Sequence, residues 1–280
     1  MRKVSVSKIR DTVADLCLKA NFELREDVLA AIRAAVDNET EARARRILES
    51  IIENARLAKS KRLAICQDTG IVVVHLQLGQ NVSLTGGSLI SAINEGVSRA
   101  YMTGCLRSSV VGDVRVRKNT MNNTPAVIHT EIVKGDKVKI TVSPKGFGSE
   151  NKSAIKMFIP TASDEEIEDF IIEVVKKAGT GACPPVILGI GMGGTFDEAS
   201  LLAKKALLEP VGSSNPKPHM AKLERELISK INSLGIGPMG LGGKTTILGL
   251  RILDYPTHIA GLPVAVNVSC HATRSAERTI

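Results

Sequence analysis

Apolar residues recur every three or four positions through the first sixty residues. Ile9, Val13, Leu16, Cys17 and Ala20 make one stripe, Val28, Ile32, Ala35 and Val36 a second, and Ile47, Leu48, Ile51, Ile52 and Ala55 a third, which is the spacing of amphipathic helices. Three helices are expected there, with a possible helical lobe over residues 1–60. The pattern then changes. Residues 71–77 read as an apolar strand and 88–103 as a helix. In "AVIHTEIVKGDKVKITVSPKG" two alternating strands meet at Gly135 and Asp136, a hairpin by turn chemistry. "PTASDEEIEDFIIEVVKKAG" is a helix with its ends marked: Ser163 and Glu166 form a capping box, and Gly179 stops it. A helix over about 196–208 is expected to be capped by Thr195 with Glu198, and another runs over about 217–233. Strands over about 244–253 and 262–269 close the chain.

Strands that do not alternate regularly with helices argue against a doubly wound parallel sheet. The expected fold is a mixed α/β (α+β) domain over residues 1–280, with a helical N-terminal segment packed on mixed, largely antiparallel sheets. No internal repeat is visible.

Composition narrows the function classes. The chain has 280 residues, 43% of them hydrophobic, enough for a full core. No apolar window is long enough to span a membrane, and the start "MRKVSVSKIRDTVADLCLKA" lacks the apolar stretch of a signal peptide. A cytoplasmic protein without membrane contact is expected. The net charge of +8 suits an anionic partner. Nucleic acid is disfavoured, because aromatic residues are 2% of the chain with no Trp, and Lys and Arg are dispersed.

Two motifs imitate phosphate sites. "VILGIGMGG" places Gly189, Gly191 and Gly194 in G-x-G-x-x-G spacing, yet no βαβ unit surrounds it and the nearest acid, Glu209, falls at a helix end. "PMGLGGKTT" ends in Lys244 and Thr245 but has Pro238 where a phosphate loop needs its leading Gly, and a strand follows. A non-enzymatic nucleotide-binding module resting on these residues is the alternative from another class.

Five cysteines, an odd number without export signals, do not suggest a disulfide framework. Cys17 lies on a helical stripe and reads as core; Cys105 reads as packing. Cys66, Cys183 and Cys270 differ, each sitting in a turn or at a strand end in "ICQDTG", "GTGACPPV" and "NVSCHATR". Three loop thiols leave three readings open: packing, a zinc site closed by His271 or His258, or a 4Fe-4S cluster with one open iron.

"CQDTG", "PKGFGSENKSA", "CPPVILGIGMGGTFDEASLLAKKALLEP" and "DYPTHIAGLPVAVNVSCHATR" together resemble the α subunit, or N-terminal domain, of the class I iron-sulfur fumarate hydratases and the related L-tartrate dehydratases. The likeness spans essentially the whole chain. It implies that Cys66, Cys183 and Cys270 hold a 4Fe-4S cluster whose free iron acts as a Lewis acid in reversible hydration of fumarate to (S)-malate. It further implies that Asp68 pairs with His258 as the proton relay, and that Gln67 and Arg107 bind the dicarboxylate. Where three glycines are expected after Pro-Lys, this chain has Gly146, Phe147 and Gly148, and the two glycines are the expected substrate-facing backbone. The bland readings are that Asp68 serves an Asx turn, that His258 is a core histidine, and that Arg115, Arg117 and Lys118 are a solvated face. The family's catalytic base lies in a second half absent from this chain, so a β subunit is the implied partner.

Overall fold

The computed structural model describes residues 1–280 as two compact units, one of Met1–Arg25, Ala55–Phe147 and Arg274–Ile280, the other of Glu26–Asn54 and Gly148–Thr273. The three expected helices form: α1 (Val6–Phe22), α2 (Glu26–Asn38) and α3 (Ala42–Lys61). They do not make a lobe of their own. α1 belongs to the first unit and α2 to the second, while α3 runs from one into the other, because the apolar stripes of α1 and α2 are buried on different sheets.

In the first unit β1 (Arg2–Ser5) pairs in parallel with β3 (Val82–Thr85). A four-stranded sheet has the order β10-β5-β2-β4, from β2 (Ile71–Gly79), β4 (Val127–Val133), β5 (Val138–Lys145) and β10 (Ala276–Thr279). Alternate residues Val72, Val74 and Leu76 of β2 face Ile9, Val13 and Leu16 of α1 and Ile93, Val97 and Ala100 of α4 (Leu89–Thr103) in one core.

The expected hairpin is not formed. β4 and β5 lie on opposite edges of β2, parallel and antiparallel to it respectively. The buried strand β2 thereby has both hydrogen-bonding edges paired, and the connection at 134–137 arches over its end. Gly79 N donates to Lys137 O (2.9 Å), Gln80 N to Val133 O (2.8 Å) and Asn81 N to Gly135 O (3.0 Å). A Cβ on Gly79 would stand 2.6 Å from the Gly135 oxygen, so glycine is required for this crossing.

The second unit follows the single-turn helix α5 (Phe147–Glu150) with β6 (Ala154–Phe158), α6 (Asp164–Ala178), β7 (Val186–Gly193), α7 (Phe196–Ala206), α8 (Pro218–Asn232), β8 (Ile247–Tyr255) and β9 (Leu262–Ser269). Its sheet order is β6-β9-β7-β8. Leu188, Ile190 and Met192 of β7 pack with α6 and α8. The opposite face meets α7 so closely that a Cβ on Gly189 or Gly191 would lie 2.0 Å from the carbonyl oxygen of Ala203 or Ala199. The Ser163–Glu166 capping box is present. Thr195 is an N-cap as expected, but its hydroxyl donates to Asp197 (2.6 Å) instead of joining a box with Glu198.

The two sheets share one plan, although no repeat is visible in the sequence. Each has two adjacent antiparallel pairs and one parallel edge pair, with β7, β8 and β9 corresponding to β2, β4 and β5. The fourth position is filled by β10 in one and by β6 in the other. Pairing order conserves this plan without requiring similar side chains, so the residues do not announce it.

Candidate active site

The turn Cys66–Gly70 leads into β2 and is held from its carbonyl side. Arg274 Nη2 donates to Asp68 O (2.8 Å), Tyr101 Oη to Thr69 O (2.6 Å), and Asn123 Nδ2 to Gly70 O (3.1 Å). All three donors are buried. Thr69 Oγ1 in turn donates to Arg107 O (2.6 Å), fixing the chain where Arg107 leaves it. With its carbonyls engaged in the interior, the turn presents Cys66 and the Asp68 side chain on the other side. Asp68 N donates to Cys66 Sγ (3.4 Å), a bond that suits an anionic sulfur.

The Asp68 carboxylate accepts from Gly70 N at Oδ1 (3.1 Å) and from Phe147 N at Oδ2 (2.9 Å), with Arg107 Nη2 3.6 Å from Oδ1. Asp68 therefore is an Asx-turn residue and also a carboxylate aimed at an arginine. Gly146 is explained by the same group: a Cβ there would stand 3.1 Å from Asp68 Oδ2. Gln67 is exposed, and so are Arg115, Arg117 and Lys118, as a solvated face requires.

In the second unit Cys183 precedes β7 and Cys270 follows β9, neighbouring antiparallel strands, so both thiols lie at one end of the sheet. His271 Nδ1–H donates to the Cys183 carbonyl (2.9 Å) and ties their two segments together. Burial pushes the His271 imidazole toward its neutral form, partly opposed by that carbonyl. Below them Asn267 Nδ2 donates to Glu150 Oε2 (2.9 Å) and Ser153 Oγ (2.7 Å), and Lys204 is paired with Glu150, so the loop carrying Gly148 is anchored by a polar network.

His258 is elsewhere. It sits between β8 and β9, at the end of the sheet opposite Cys183 and Cys270. β9 alone has 8 residues, so at about 3.3 Å each the separation is roughly 25 Å. His258 is exposed and not a core histidine, and no zinc site joins it to the Cys183 and Cys270 of its own unit. No group of three or more His, Cys, Asp or Glu side chains stands together as a metal site. Cys17 is buried in the core, which pushes its thiol pKa up, whereas Cys105 is exposed at the end of α4, so its reading as packing is corrected.

A sequence model of fumarate hydratase (fumerase) matches residues 10–279. The chain belongs to the fumarate hydratase family. Among relatives, the putative L(+)-tartrate dehydratase subunit alpha of Methanocaldococcus jannaschii is 40% identical over 278 residues, covering 98% of each chain. The L(+)-tartrate dehydratase subunit alpha of Escherichia coli (strain K12) is 30% identical over 276 residues, covering 98% of this chain and 91% of the relative.

Membership of the fumarate hydratase family makes the chain a hydro-lyase and removes support from the nucleotide-binding alternative. The structure agrees: Gly189 and Gly191 are strand positions that admit α7, and the Lys244 backbone N–H donates to Glu39 (2.8 Å). The residues that sequence reasoning missed are the donors behind the turn. Arg274 ends the quoted "SCHATR", but nothing in its neighbours shows that it reaches Asp68, 206 residues away. Tyr101 and Asn123 look like an ordinary core aromatic and a loop amide.

Proposed function

We propose that this chain is the cluster-bearing α subunit of a two-subunit fumarate hydratase interconverting fumarate and (S)-malate. Cys66, Cys183 and Cys270 are the cluster ligands. Their chemistry fits: three half-buried thiols, each outside a strand end, one with its sulfur already accepting a backbone N–H, are the soft donors an iron-sulfur cube requires. A bound 4Fe-4S cluster would supply a Lewis-acidic iron that polarises the substrate hydroxyl. The chain's own groups do the rest. Arg107 anchors a substrate carboxylate, Gln67 hydrogen-bonds the substrate, and the N–H groups at Gly146 and Gly148 line the approach. Asp68 carries the proton to or from the departing hydroxyl oxygen; His258, at the other end of the second sheet from Cys183 and Cys270, takes no part in this relay within one chain.

The observation that supports this most is the Cys66–Asp68 turn, which clamps its backbone inward so that a thiol and a carboxylate two residues apart face outward together. The subunit names of the relatives support a companion subunit, and on this reading that subunit supplies the catalytic base. Those names also favour a second reading, L-tartrate as substrate, which differs by one hydroxyl and depends on a few pocket contacts.

Anaerobic reconstitution with iron and sulfide, followed by absorbance and iron analysis, tests the cluster. Cys66→Ala is expected to lose it, and full cluster assembly in that variant would overturn the reading. Steady-state assays of the complex with fumarate, malate and tartrate separate the two substrates: fumarate and malate are expected to give the higher kcat/KM.

A further inference from the structure

This inference rests on the reading above, in which Cys66, Cys183 and Cys270 share one cluster. Two of those thiols, Cys183 and Cys270, belong to the second unit, and the loop from Gly148 to Ser153 runs beside the segments that carry them. Ser153 Oγ accepts from Val268 N (3.0 Å) and from Asn267 Nδ2 (2.7 Å), which ties the loop to β9 two residues before Cys270. Lys152 N donates to Ser149 O (2.9 Å), so the backbone on either side of the lysine is fixed. The Lys152 side chain reaches to the other segment. A Cβ on Gly181, two residues before Cys183, would stand 2.9 Å from Lys152 Cε and 3.2 Å from its Nζ. The ammonium therefore rests on the turn that leads to one thiol, while the next residue holds the strand that leads to the other.

This charge has no counter-charge in the chain. Lys152 is half-buried, and its ammonium makes no hydrogen bond or ion pair. The one acid of the loop, Glu150, is taken by Lys204 and Asn267. A partly desolvated cation without a partner is costly unless an anion comes to it. We propose that Lys152 is the fixed counter-charge of the cluster on its Cys183 and Cys270 side, and so sets the cluster's reduction potential. A cube held by three thiolates is net negative, and net charge is one of the quantities that set such potentials. A positive charge beside it stabilises the reduced, more negative state and keeps the iron electron-poor. An electron-poor iron is the stronger Lewis acid, so the same lysine favours polarisation of the substrate hydroxyl without touching it.

The test is a reductive titration of the complex with its companion subunit, reconstituted anaerobically and followed by electron paramagnetic resonance. Lys152→Met removes the charge and keeps much of the shape. It is expected to disfavour cluster reduction by about tenfold, a fall of about 59 mV for one electron, with iron content and absorbance unchanged. Lys152→Arg keeps the charge and should titrate like the wild type. Gly181→Ala crowds the ammonium and should lower the midpoint by less than Lys152→Met. A fully loaded Lys152→Met with the wild-type midpoint would overturn the inference and leave the cluster reading intact. The same unchanged midpoint with a weaker hold on the companion subunit would assign the lysine to subunit contact, and overturn it likewise. If Lys152→Met loads no iron, Lys152→Arg decides: loading with the wild-type midpoint supports a role of charge, and failure to load shows that packing on Gly181 is what matters and overturns the proposal. A wild-type complex that assembles no cluster would remove the reading itself, and this inference with it.

Discussion

Arg274 Nη2 donates to the Asp68 carbonyl oxygen at 2.8 Å, and its Nη1 reaches Asn21 Oδ1 at 3.2 Å. The guanidinium is buried, its Nε has no acceptor, and it holds the turn from a segment that begins at Cys270. Removing it strands a buried carbonyl and lets the turn drift. Arg274→Gln is expected to lower stability by about 1–3 kcal/mol. It should also lower kcat by about 100-fold with a smaller change in KM, because misplacement of a relay group acts on the chemical step. Denaturant titration and steady-state kinetics check both, and Arg274→Lys should recover part of the stability but little of kcat.

Gly146 leaves room for the Asp68 carboxylate, since a Cβ would stand 3.1 Å from Oδ2 and 3.3 Å from Cγ. Gly146→Ala is expected to turn Asp68 away from Phe147 N and reduce kcat by about tenfold to 100-fold. Its melting temperature should change little. A variant with wild-type kcat would show that the carboxylate position is not fixed from this side.

Gly191 has a packing role. An added Cβ would lie 2.0 Å from Ala199 O, so Gly191→Ala must push α7 off β7. The expected loss is about 1–3 kcal/mol by chemical denaturation, the range for overpacking. Calorimetry should detect no saturable binding of ATP or NAD to the wild-type chain.

Glu39 ties α2 to the loop that imitates a phosphate site. Burial favours its protonated form, but the N–H groups of Glu41, Lys244 and Thr40 outweigh this and lower the pKa below 4.5. A carboxyl whose pKa is lower when folded contributes its full stabilisation above the ordinary value, and that contribution is lost as pH falls through the folded value. Stability measured from pH 7 to pH 3 should therefore drop more steeply in the wild type than in Glu39→Gln. Glu39→Ala should cost about 1–3 kcal/mol at neutral pH, because its backbone donors lose their acceptor.

Much of this was legible locally. The stripe through Ile9, Val13 and Leu16 predicted α1, and the Ser163–Glu166 box predicted the start of α6. Helix periodicity and caps are properties of neighbouring residues. The same is true of the turns that set Cys66, Cys183 and Cys270 apart from buried Cys17. Gly135 and Asp136 correctly marked a turn, yet the strands on either side chose β2 and not each other. Turn chemistry specifies a reversal, not the partner.

By itself the sequence determined the helices, the strand candidates, the placement of three thiols and a carboxylate in turns, and membership of a family. Tertiary structure decided which strands pair, which buried side chains hold the Cys66 turn, and at which end of a sheet each residue emerges. Asp68 and Arg274 are distant in sequence and bonded, whereas His258 and Cys270 are near in sequence and separated by the full length of β9. The reason is that an extended strand carries neighbours apart while hydrogen bonds and burial bring strangers together, and neither is a function of separation along the chain.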